Sequence, residues 1–170
     1  MSIGAIEIET SGEVPLVVRP ARKEDAFALD RFFDQLSPED MRFRFLSTVR
    51  HIGYRLIEEM TSDSDPASET FLAFDRDDAE LLAVSMLAAG DDGRGEVAIA
   101  VRTDHKGMGI GWALLRHAEG RAAARGLTRI EAVESRDNRA AIGVEREQGY
   151  TTEPVEGSPE LVKLVKVIAG

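Results

Sequence analysis

The chain has 170 residues, 43% hydrophobic and 6% aromatic, which fits one compact domain able to bury a core rather than a disordered chain. Its 21 basic and 31 acidic residues give a net charge of −10, which argues against nucleic acid or an anionic membrane surface as partner. The absence of cysteine excludes a disulfide scaffold, a cysteine nucleophile and a thiolate zinc site, and a cytoplasmic location is the default expectation.

Residues 1–13 are polar, contain Ser11-Gly12 and are expected to form a flexible leader, with a single domain over 14–170. The leader lacks the basic start and apolar stretch of an export signal, and no apolar run nears the roughly 18 residues of a membrane span. Leu16 to Arg19 read as the first strand, ended by Pro20. Ala26, Leu29, Phe32, Phe33 and Leu36 keep helical spacing, so a helix is expected near 24–35, stopped at Ser37-Pro38-Glu39. Met41, Phe43, Phe45, Leu46, Ile52, Leu56, Ile57 and Met60 suggest one or two further helices. Three apolar runs, 70–74, 81–89 and 96–101, are separated by Asp75 to Asp78 and by Gly90 to Gly93, and they read as an antiparallel meander. Then come a helix from Ile110, with inner face Ile110, Ala113, Leu114, His117, Ala118 and Arg121, ended by Gly126; a strand at 128–134; a helix at 138–148; and a last strand at 160–168. The predicted order is β-α-α-β-β-β-α-β-α-β, a mixed α/β fold. His51, His105 and His117 show no metal-ligand spacing, so no metal site is expected.

The segment from Glu96 to Leu115 places a strand, a basic Gly-rich turn (Lys106-Gly107-Met108-Gly109-Ile110-Gly111) and a helix start in succession. Such a turn can cradle an anion, because glycines let backbone approach closely and first-turn N–H groups lack intrahelical partners. The same glycines could serve only a tight connection. Neither the Gly-x-Gly-x-x-Gly of a dinucleotide fold nor the Gly-Lys-Ser/Thr of a P-loop is present.

Val101, Lys106, Gly109 and Gly111, with Asn138, Ala141, Gly149 and Tyr150 downstream, resemble the acyl-CoA signature and later motifs of the GCN5-related N-acetyltransferases (GNAT). The resemblance covers roughly residues 15–168. Val17 to Asp25, Phe32-Phe33, Leu36 to Glu39 and Arg42 to Phe45 are similar to the acetyltransferase domain of Pat-type bacterial protein lysine acetyltransferases. The resemblance implies a GNAT fold, with a mostly antiparallel sheet of about six to seven strands and about four helices, and acetyl-CoA as acyl donor without a metal. It implies that the backbone of Ile99, Ala100 and Val101 pairs with the pantetheine arm where strands splay apart. Lys106, Gly107, Met108, Gly109, Ile110 and Gly111 would hold the diphosphate, and Asn138 belongs to the same cofactor set. Lys106 keeps positive charge where the family has Gln or Arg but lacks a planar fork.

Transfer to an amine requires the neutral amine, so a base must take its proton. The resemblance assigns that role to Glu96, whose neighbours Val97, Ala98 and Ile99 are expected to desolvate it in part; a solvated strand-end carboxylate beside Arg94 is the plainer alternative. Glu134 could face the cleft and steer an amine, or belong with Glu131 to a surface ladder. Seven residues after Asn138, where many relatives carry a tyrosine as general acid, stands Glu145, and a carboxylate is not expected to replace it. Tyr150 is expected to pack, and neither His105 nor His117 is assigned as a base. Trp112 is expected to pack or to shield the cofactor, and Arg139 to reach CoA phosphate or stay at the surface.

The function so implied is N-acetyl transfer from acetyl-CoA to an amine, a protein lysine or a small molecule, by direct transfer in a ternary complex. A non-catalytic acyl-CoA-binding sensor and a nucleotide-binding structural domain are the alternatives. The sequence names neither the acceptor nor the acyl chain, and it leaves a homodimer open.

Overall fold

The computed structural model describes residues 3–47 and 53–168; His51 and Ile52 lie outside them. The first 13 residues are not only a leader: Ile6–Glu9 form strand β1, paired antiparallel with β2 (Pro15–Pro20). The signal was the alternation Ile6-Glu7-Ile8-Glu9, which is the period-2 pattern of a half-buried strand. Helix α1 (Ala26–Asp34) is entered through a 3-10 turn at Lys23–Asp25. Buried Asp25 accepts from the Arg22 amide and takes both arms of the Arg19 guanidinium at 2.8 and 2.7 Å, which holds its carboxyl below the usual carboxylate range against the cost of burial. Helix α2 (Pro38–Phe45) starts at Ser37, whose hydroxyl accepts from the Asp40 amide, with Pro38 at the first position. It stops at Leu46, which is left-handed.

Helix α3 (Tyr54–Thr61) precedes the expected meander β3 (Ser68–Asp75), β4 (Leu81–Ala89) and β5 (Arg94–Val101). Helix α4 (Ile110–Ala124), strand β6 (Arg129–Ser135), helix α5 (Arg139–Glu147) and strands β7 (Thr151–Pro154) and β8 (Leu161–Val167) complete the chain. Among the described residues this makes five α-helices and one eight-stranded sheet of order β1-β2-β3-β4-β5-β6-β8-β7, one helix and one strand beyond the upper expectation. Every pairing is antiparallel except β5 with β6, and that parallel pair requires the α4 crossover. No described helix is long and apolar enough to cross a membrane.

The two faces of the sheet bury different helices. On one face Leu29, Phe32, Phe33, Met41, Ile57 and Met60 pack on Leu72, Val84 and Ala100. On the other, α4 sets Ile110 and Leu114 against Leu16, Val18, Phe71 and Leu82, and Leu115, Ala118 and Ala122 against Leu87, Val97, Ile130 and Ala132. The buried stripe of α4 is therefore rotated from the expected one, gaining Leu115 and Ala122 while Ala113, His117 and Arg121 sit at its margins. Gly126, at φ 75°, closes α4, with Leu127 donating back to the Ala122 carbonyl.

Phe33 is 1% exposed and its ring meets those of Phe32 and Phe45 at 5.1 and 5.7 Å. Phe33→Ala is predicted to cost about 3–5 kcal/mol in urea denaturation; a loss below about 1 kcal/mol would contradict this packing.

Candidate active site

Strand β5 is paired with β4 up to Val101, but β6 meets it only at Arg94, Gly95 and Glu96, opposite Arg129, Ile130 and Glu131. Beyond that point the two strands separate. A cavity of about 260 Å³ lies there, lined by Val97 to Val101 of β5 without Ala98, by Ala132 and Glu134 of β6, by α5, and by the turn into α4. Backbone groups in this stretch have no β6 partner in the ladder, so an extended ligand can complete it.

Helix α4 begins at Gly109, φ 80°, with no side-chain cap, and its first internal bond runs from Ala113 to the Gly109 carbonyl. The N–H groups of Ile110, Gly111 and Trp112 are thus outside the helical ladder at its positive end. Gly107 shares the positive φ, at 79°. Lys106 donates to Asp40 Oδ1 at 2.6 Å, and Thr103 donates to Asp40 Oδ2 at 2.7 Å. These bonds hold Asp40 below the usual carboxylate range despite burial, and they tie the start of α2 to the turn.

Of the sequence-expected cofactor residues, Ile99, Ala100, Val101, Lys106, Gly107, Gly109, Ile110, Gly111 and Asn138 line this one cavity. Met108 does not; its carbonyl turns away to accept from Thr10 and Gly12. Asn138 caps α5, accepting from the Ala141 amide at 3.4 Å and donating to Glu134 at 3.4 Å. Trp112 lines the cavity and Tyr150 is buried in the core, while Arg139 is exposed.

Glu96 is not in the lining; it is the last β5 residue paired with β6, where the strands part. The expected desolvation is not found: Glu96 is exposed, because Val97 and Ile99 turn to the α4 face of the sheet. Alternation places Glu96 on the face of α1 to α3 instead, near Arg44 of α2, whose charge feels both Glu96 and Glu134. Arg44 is tucked against Met86, donating to its sulfur at 3.0 Å, and burial lowers its pKa.

From the sequence no catalytic role is expected for Glu145, and Glu134 is expected either at the cleft or on a surface ladder with Glu131. Both line the cavity, and each carboxyl feels the other's charge. Glu145 is 4% exposed, and its Oε2 has no hydrogen-bond partner. Burial, and then the charge of Glu134, push Glu145 up to about 10, so the pair holds a proton at neutral pH. The available signal was Glu134 and Glu145 flanking Asn138 on a strand end and a helix that must pack together.

Comparison with known proteins agrees with this architecture. The description "Acetyltransferase (GNAT) family" matches residues 30–150. An acetyltransferase of Pseudomonas aeruginosa is 30% identical over 128 residues, 74% of this chain and 69% of that protein. The GNAT domain of PAT from S. lividans superposes with a TM-score of 0.87 at 24% identity, covering 96% of each chain. A spermidine N-acetyltransferase from Vibrio cholerae, in complex with CoA and spermine, gives a TM-score of 0.74 at 17% identity over 90% of this chain and 95% of that one.

The proton on Glu145 has a measurable consequence. In the folded protein it is kept until about pH 10, whereas an unfolded glutamate loses it near pH 4.5. Stability is therefore lost as pH rises between those values. Glu145→Gln, a neutral isostere that can donate to Glu134, is predicted to melt higher than the parent at pH 8, with the gap closing toward pH 5. A melting difference that does not vary with pH would contradict the shared proton. With its fold, its parted central strands and its matched sequence, the chain belongs to the GNAT family of acetyltransferases.

Proposed function

We propose that the protein transfers an acetyl group from acetyl-CoA to an amine, directly within a ternary complex. The observation that carries this reading is the single cavity joining the parted edge of β5 to the bare N-terminus of α4. The diphosphate of the donor rests on the amides from Gly107 to Gly111, where the helix dipole favours negative charge. Lys106 adds charge at the rim while Asp40 steadies it. The pantetheine arm runs beside Ile99, Ala100 and Val101 as a short extra strand.

Chemistry follows from where that arm ends. The amine approaches from the face of α1 to α3, and Glu96 takes its proton directly or through water. Nitrogen then attacks the thioester carbonyl, the C–S bond breaks, and sulfur leaves with the electron pair. Glu145 holds a proton within the same cavity, so this carboxyl, kept neutral by burial and by Glu134, can deliver it to the departing sulfur. The net charge of −10 draws cationic acceptors toward the protein. Protein lysines and small amines, as in the spermidine acetyltransferase of similar fold, both fit that description.

Replacing Glu96 separates an enzyme from a sensor that only binds acyl-CoA. Glu96→Gln is predicted to lower kcat at neutral pH by about 10²-fold or more, with partial recovery at high pH and acetyl-CoA binding retained in calorimetry. Unchanged kcat would remove Glu96 from the mechanism. ADP binding as tightly as acetyl-CoA would favour a nucleotide-binding domain instead.

A further inference from the structure

The turn that cradles the diphosphate is held by a part of the chain almost a hundred residues away. Between β1 and β2, Thr10 to Val14 form a tight turn closed by three bonds of its own: Thr10 donates to the Val14 carbonyl at 3.1 Å, Glu13 to the Thr10 carbonyl at 2.9 Å, and the Val14 amide to Thr10 Oγ1 at 3.2 Å. Glu13, at φ 62°, completes it. From this turn the Thr10 hydroxyl donates to the Met108 carbonyl at 2.6 Å, and the Gly12 amide donates to the same oxygen at 3.2 Å. Thr10 is 7% exposed, so this contact is shielded from water, and both the donor and the acceptor capacity of its hydroxyl are used.

The two backbones touch closely. A Cβ on Gly12 would stand 2.6 Å from the Met108 oxygen, and one on Gly109 would collide with Ser11 Oγ. Glycine at both positions is what the approach requires.

The peptide joining Met108 to Gly109 is planar and trans. With its carbonyl captured by the hairpin, its N–H, on Gly109, must point the opposite way, toward the cavity that Gly109 lines. Two glycines with positive φ flank Met108, and a sequence of that kind samples many peptide orientations when nothing holds it. Fixing it before the donor arrives removes an ordering cost from binding.

We infer that the Thr10–Gly12 turn is a positioning element for the acyl donor: by capturing the Met108 carbonyl it aims the Gly109 amide, and the start of α4 behind it, at the donor's diphosphate. This rests on the donor reading above and adds to it the part of the chain that sets affinity for the diphosphate.

The test is calorimetric titration of the full chain with acetyl-CoA and with S-acetylpantetheine, which lacks the diphosphate. Thr10→Val keeps the shape and removes the hydroxyl; it is expected to weaken acetyl-CoA binding about tenfold while S-acetylpantetheine binding stays within about twofold. Thr10→Ser should restore parental affinity. Gly12→Ala, which pushes on the Met108 oxygen without touching the hydroxyl, should reproduce the selective loss and serves if Thr10→Val does not fold. Parental acetyl-CoA affinity in the folded Thr10 and Gly12 variants, or equal weakening toward both donors, overturns the inference. Failure of the unaltered protein to bind acetyl-CoA overturns the donor reading, and this inference with it.

Discussion

The structure depends on the parting of two central strands. β5 and β6 run parallel for three residue pairs and then diverge, although both continue, to Val101 and Ser135. Backbone donors and acceptors at the centre of a sheet are costly to leave unpaired, so the divergence is sustained by what surrounds it. α4 packs under β5 through Leu114 and Leu115, α5 is pinned by Asn138 to the end of β6, and α2 reaches across from the other face. Each element that holds the strands apart also contributes to the cavity lining.

Charge is arranged around that gap in a consistent order. The positive end of α4 and Lys106 lie at one end, where a diphosphate would sit. Glu134 and Glu145 line the same cavity and share a proton, and the Arg44 guanidinium feels both Glu134 and Glu96. A carboxyl as buried as Glu145 reduces stability at neutral pH, and proteins retain such groups at sites where protonation is used. The N-terminal hairpin and Asp40 brace the Gly-rich turn from two sides, through Met108 and Lys106. The turn is thus shaped before any ligand arrives.

Much of this was legible in the residues themselves. The meander, the α4 crossover and the Gly-rich turn follow from apolar alternation, glycine placement and helical spacing, and the resemblance to acetyltransferases rested on Gly109, Gly111 and Asn138, all of which line the cavity. What escaped had physical reasons. β1 is short and, apart from Ile6 and Ile8, acidic, and β7 is a four-residue edge strand with no apolar side chain except its terminal proline, so neither shows a burial pattern strong enough to stand out. The pairing of Glu134 with Glu145 and of Lys106 with Asp40 joins residues on different elements, which spacing along one element does not register. Glu96 was placed on the correct strand, but its exposure depended on which face the odd positions of β5 occupy, and that is set by α4 rather than by the neighbours of Glu96.

The central claim is that the donor completes the parted edge of β5 and rests on the start of α4. Hydrogen exchange of individual backbone amides, with and without acetyl-CoA, tests it most directly. The account predicts slowed exchange at amides within 97–101 and 107–112, with β1, β3 and β8 unchanged. Tight binding of acetyl-CoA that leaves both segments exchanging at their free rates would contradict it.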